Sequence, residues 1–137
     1  MRTLKHLSGL FLFLLVFFSS CSTVAVTGRR QLHLVSDEEV MSLSNQSFSD
    51  YMKTAKPSTN AANTAMVVRV GRNIASAVET YLKANGRADD VKQFAWEFHL
   101  VQDATPNAFC MPGGKIVVSE GILPYTKDEN GLAVVLG

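Results

Sequence analysis

Pro112-Gly113-Gly114 stands between two runs of β-forming residues, Asn107-Ala108-Phe109-Cys110-Met111 and Lys115-Ile116-Val117-Val118-Ser119. Two such runs around a Gly-Gly turn predict a β-hairpin, with the proline and both glycines setting its bend. Just upstream, Trp96, Phe98 and Leu100 alternate with Glu97, His99 and Val101, the period of a half-buried strand. Gln102 to Pro106 turns the chain between that strand and the hairpin.

Helical signals lie on both sides. Ser36-Asp37-Glu38-Glu39 has the form of a capping box, opening a helix whose apolar stripe is Val40, Met41, Leu43, Phe48, Tyr51 and Met52 and which Pro57 ends. A second helix is expected from about Asn63-Thr64, with Val67, Val70, Ile74, Ala77, Val78, Tyr81 and Leu82 at helical spacing and Asn85-Gly86 closing it. Arg69, Arg72 and Glu79 fall on other faces and read as a solvated surface. Gly71 costs about 1 kcal/mol relative to Ala inside a helix, which points to close packing against a neighbour. Gly121 to Tyr125 reads as a short turn or helical piece. Thr126-Lys127-Asp128-Glu129 offers another capping box, opening a last helix on Leu132, Val135 and Leu136. Helices before and after a small sheet with a hairpin make the fold class α+β.

The first twenty residues follow a different logic. Arg2 and Lys5 precede an apolar run from Leu7 to Phe18, broken only by Ser8 and Gly9. That is the layout of a secretory signal, and it is shorter than the roughly 20 apolar residues of a comfortable membrane span. Phe18-Ser19-Ser20-Cys21 resembles a bacterial lipoprotein signal, which implies lipidation of Cys21. Residues 1–20 are thus expected to be a signal peptide, 21–35 a tether and 36–137 the domain. The whole chain has 13 Lys plus Arg against 12 Asp plus Glu; two of the basic side chains and none of the acidic ones lie in the signal, so the remainder carries a net charge of −1. No dense basic surface exists to neutralise phosphates, which excludes a nucleic-acid partner. With Cys21 acylated only Cys110 remains, so no internal disulfide is expected.

Catalytic chemistry is hard to assemble from these residues alone. His33 and His99 belong to no ligand motif, so no zinc site is expected from the pair. A Cys110–His99 nucleophilic pair is possible on paper, but Cys110 between Phe109 and Met111 reads as a packed apolar residue. Gly113-Gly114 joins strands and resembles no phosphate loop.

A likeness enters with the C-terminal third. Asn107-Ala108-Phe109-Cys110-Met111-Pro112-Gly113-Gly114-Lys115-Ile116-Val117-Val118-Ser119-Glu120-Gly121-Ile122-Leu123, followed by Asp128-Glu129-Asn130-Gly131-Leu132-Ala133-Val134-Val135-Leu136-Gly137, resembles the stretch directly upstream of the zinc motif in the HtpX and CAAX-prenyl-protease metallopeptidases, peptidase family M48. Residues Cys21 to Leu32 resemble the start of the family's bacterial periplasmic lipoproteins. The resemblance implies the N-terminal part of a minimal gluzincin-type domain in a lipid-anchored zinc endopeptidase of a quality-control type, acting on protein or peptide substrates. It also implies a membrane tie through the N-terminal lipid, with residence on the periplasmic face of the outer membrane. In the family, His-Glu-x-x-His follows a Leu-Gly like Leu136-Gly137, so catalytic residues are expected just after Gly137 and none within the chain. By position, Asn107, Ala108, Phe109, Gly113 and Gly114, together with the strand after the turn, would form the substrate-side hairpin. The 137 residues alone are expected to be inactive and to bind no zinc, with the last apolar stripe short of partners. A non-catalytic lipoprotein serving as a binding or scaffold module is the alternative.

Overall fold

The computed structural model describes the backbone of residues 21–23 and 30–32, and backbone and side chains from residue 35 to 137. The expected signal at residues 1–20, and His33, lie outside the described residues. Chain contacts divide the protein into Met1–Asp37 and Glu38–Gly137. In the first unit, β1 (Cys21–Thr23) pairs antiparallel with β2 (Arg30–Leu32), so part of the expected tether forms a short ladder.

Helix α1 (Asp37–Thr54), in the second unit from Glu38 on, starts directly after Ser36, as the capping signal predicts. Helix α2 (Ala61–Ala84) starts earlier than expected, because the Asn60 side chain accepts a hydrogen bond from the Asn63 amide at 3.0 Å and so caps it. Asn85 and Gly86 close it, Gly86 at φ +73°. A 3-10 segment, Ala88–Gln93, leads to β3 (Glu97–Val101), β4 (Ala108–Met111) and β5 (Lys115–Ser119). The expected hairpin is present: β4 and β5 pair antiparallel, from Ala108 opposite Val118 to Met111 opposite Lys115. The sheet order is β3-β5-β4, with β3 parallel to β5, so β5 is central and β4 forms an edge.

The sheet is covered on both faces, and the alternation of β3 shows how. Phe98 and Leu100 lie with Ile116 and Val118 against α2, around buried Val67, Val70 and Leu132. Val101 and Val117 lie on the opposite face, under Phe48 of α1. Within α2 the buried stripe is Val67, Val70, Gly71, Ala75 and Leu82. Ala75 takes the place expected for Ala77, which is exposed, since a residue one turn past Gly71 stays on the face that meets the sheet.

The chain's last elements correct the second capping box. Thr126 ends the short helix α3 (Leu123–Thr126), and Lys127 has φ +66°, which breaks the helical path. Helix α4 (Glu129–Leu136) is capped instead by Asp128, whose carboxylate accepts the Gly131 amide at 2.8 Å. The last stripe finds partners in part: Leu132 is completely buried against α2 and the sheet and Leu136 packs against the same cluster, while Val135 is exposed as expected of a stripe short of partners. Arg69 and Glu79 depart from the simple solvated face expected of them. Arg69 forms an ion pair with Glu129 at the start of α4, and Glu79 accepts the Trp96 indole N–H at 2.9 Å.

Candidate substrate-binding edge

All five residues of β5 are buried and both of its edges are occupied, whereas the outer edge of β4 meets no other strand among the described residues. Ser119 N donates to Asn107 O at 2.9 Å, and Asn107 N donates to Ser119 Oγ at 2.8 Å. These bonds mark Asn107–Ser119 as a hydrogen-bonded pair. Such pairs alternate along an antiparallel ladder, so Phe109 and Met111 also turn their main-chain groups toward β5. Ala108 and Cys110 turn theirs outward, leaving two N–H and two C=O groups along the open edge. The Ser119 hydroxyl donates in turn to Thr105 O at 2.6 Å, tying the loop before β4 to the start of this edge. Nothing in the local sequence singled out Ser119, because its role depends on which strand lies beside it.

The five residues expected to meet substrate do not share one surface. Asn107 is exposed at the head of the edge. Ala108 packs toward the cluster around Leu132, and Phe109 points to the other face, its ring edge-on to Tyr51 at 5.3 Å between centroids. Gly113 and Gly114 lie beyond the other end of β4 and are buried. Their carbonyls accept from Ala95 N at 2.9 Å and Glu97 N at 3.0 Å, prolonging the pairing beside β3. Both have positive φ, +87° and +84°. A Cβ on Gly113 would lie 2.8 Å from Met41 Cε, and one on Gly114 2.6 Å from Trp96 Cε3. The Ser44 hydroxyl closes this packing by donating to Pro112 O at 2.8 Å. The turn is thus held in the core, and the strand after it, β5, has no free edge to offer.

Cys110 and His99 are not a pair. The cross-sheet row through His99 runs to Val117 and Phe109, while Cys110 shares its row with Ile116 and Phe98 on the opposite face. Cys110 is also exposed rather than packed, because β4 is an edge. Partial burial pushes its thiol pKa up, which lowers the thiolate fraction needed for attack. His99 instead sits 3.0 Å from one oxygen of Glu97, and the other oxygen accepts from Lys115 Nζ at 2.5 Å. Lys115 is buried, donates also to Ala95 O at 2.6 Å, and has the Phe48 ring 5.8 Å away. The Lys115 hydrogen bond, and after it the one from His99, holds the Glu97 carboxyl below the usual carboxylate range. Local reading could not find this cluster, since the parallel register alone brings Glu97 opposite Lys115. Among the described residues no three His, Cys, Asp or Glu side chains come together as a metal group. A zinc ion does not fit the side chains described, and the Glu97–His99 pair supplies two donors at most.

This α+β domain leaves the outer edge of β4 open beside α4, an edge to which an extended polypeptide can add as a strand. The outer edge of β3, the other end of the sheet, is closed at its C-terminal part, where Val101 bridges Pro57 and Leu100 O accepts from Ser58 N at 2.9 Å. The chain belongs to peptidase family M48, whose pattern matches residues 68–137. The mitochondrial metalloendopeptidase OMA1 of Schizosaccharomyces pombe is 35% identical over 124 residues, covering 88% of this chain and 33% of that protein. OMA1 of Saccharomyces cerevisiae is 44% identical over 54 residues, 38% of this chain and 15% of that protein. The human mitochondrial enzyme is 26% identical over 126 residues, 92% of this chain and 23% of that protein. The chain spans a third or less of the length of these relatives.

The relatives correct one expectation. Every one named is a mitochondrial enzyme, which overturns the placement on the periplasmic face of a bacterial outer membrane and leaves family membership standing without the bacterial lipoprotein branch. A basic, apolar leader is an address read by a receptor, so its residues did not by themselves fix the compartment. For Cys21 only the backbone, at the start of β1, is described; the lipidation expected there lies outside the described side chains.

Proposed function

We propose that this chain is the substrate-side part of a zinc-dependent metalloendopeptidase that cleaves proteins at a membrane. One observation carries the reading: the open edge of β4 presents the main-chain groups of Ala108 and Cys110 beside α4. An extended polypeptide adds to that edge as a fourth strand, and main-chain bonding fixes its register largely independently of its sequence. The metalloendopeptidase names of the relatives support hydrolysis of peptide bonds as the reaction. The basic residues Arg2 and Lys5 and the apolar run Leu7 to Phe18 support delivery to or across a membrane. The compactness of Glu38–Gly137 supports a domain that follows a leader and a tether.

No His-Glu-x-x-His occurs in the 137 residues. In this reading the zinc ligands and the general base follow Gly137, and the residues present hold the substrate without performing the hydrolytic step. Incubated with zinc and casein, the 137-residue chain is expected to cleave nothing and to bind no stoichiometric zinc. Chelator-sensitive cleavage by that chain would overturn the reading. The alternative reading is a non-catalytic binding module. Sequencing the reading frame past Gly137 separates the two: His-Glu-x-x-His supports the peptidase, a stop codon the module.

A further inference from the structure

Phe109 and Met111 leave β4 on the same face, beside Tyr51 and Met52 of α1 and the buried trio Phe48, Val101 and Val117. All four of these side chains are half-buried, forming an apolar surface along the open edge. The cross-sheet row His99, Val117, Phe109 ends at that edge. A residue added to the sheet opposite Phe109 continues the row and projects to the side of the sheet on which α1 lies. Because Phe109 spends its main-chain groups on β5, an antiparallel neighbour meets it in a pair without hydrogen bonds, the geometry that brings opposed side chains closest. The opposite face offers only a small side chain at the next position, the exposed Cys110.

We propose that Phe109, with Tyr51, selects an apolar side chain at the substrate position opposite Phe109. Extended protein segments with such a residue there are then the preferred substrate class. This rests on strand addition to β4. An aliphatic side chain at that position covers ring surface that water now reaches, whereas a small hydroxyl leaves it wet.

The test uses two blocked heptapeptides, one of threonine alone and one with a central leucine, titrated into the isotope-labelled full chain while the Ala108 and Cys110 amide resonances are followed. Both peptides should move these resonances, the leucine peptide binding about tenfold more tightly. Phe109→Ala should erase that preference while threonine-peptide binding persists, and Phe109→Leu should keep most of it. Should Phe109→Ala not fold, the half-buried Tyr51→Ala provides the same comparison. Equal affinities in the unmodified chain overturn the selectivity and leave strand addition standing. No shift at Ala108 or Cys110 with either peptide overturns both.

Discussion

Gly71 of α2 lies directly beneath the Phe98 ring of β3: a Cβ placed on the glycine would come within 2.6 Å of Phe98 Cε1. The helix and the sheet meet there with no side chain between them. Phe98 in turn stacks beside Trp96, 6.3 Å between ring centroids, and Trp96 beside Phe94 at 4.5 Å. A glycine that weakens the helix locally lets it approach the sheet closely enough to build this aromatic row.

Gly71→Ala should therefore destabilise the fold, although alanine is the better helix former. Overpacking a tight contact costs about 1–3 kcal/mol, more than the ~1 kcal/mol that helix propensity returns. Urea denaturation measures the difference; a variant more stable than the parent would show that the ring moves aside freely.

Glu129 pairs with Arg69, and that hydrogen bond is the first cause of its lowered pKa. A carboxylate with a depressed folded pKa adds stability above its unfolded pKa, and the contribution is lost as pH falls through the folded value. Both side chains are about half exposed, so the effect on overall stability is small. Carboxyl NMR should place the Glu129 titration below the ordinary carboxylate range and return it to that range in Arg69→Met.

Glu97 is a second acid-side contributor, through Lys115. Glu97→Gln leaves the buried ammonium with Ala95 O and a neutral amide, and should cost about 1–3 kcal/mol. Lys115→Met removes the buried charge together with its need for a partner, and should cost less. By the same sign rule, the Lys115–Glu97 contribution holds at neutral pH and fades below the usual carboxylate range. Equilibrium unfolding at pH 7 and pH 3 checks both the ranking and the direction.

Asp128→Ala should remove the cap of α4 and cost about 1 kcal/mol, with faster hydrogen exchange at Gly131. Thr126→Ala should leave that amide unchanged, because the Thr126 hydroxyl bonds to Leu123 O inside the preceding turn. The opposite ranking would restore Thr126 as the cap.

The local patterns carried much of the fold. The hairpin around Pro112-Gly113-Gly114, the strand ending at Val101, the two long helices and the close contact at Gly71 were all legible, because turn chemistry, side-chain period and helix propensity act over a few residues. The family was legible too, in the run from Asn107 to Gly137, as the match over residues 68–137 shows. The sheet order was not. No local signal says that β3 runs parallel to β5, and that single pairing buries β5, leaves β4 at one edge and sets Lys115 against Glu97. The hairpin register with β5 then decides that Ala108 and Cys110, rather than Asn107 and Phe109, turn their amides to the open side. Sequence by itself determined the two long helices, the strand ending at Val101 and the hairpin with its turn. Tertiary structure decided which strand keeps a free edge, because hydrogen bonds between strands join residues far apart in the chain and depend on which neighbour arrives.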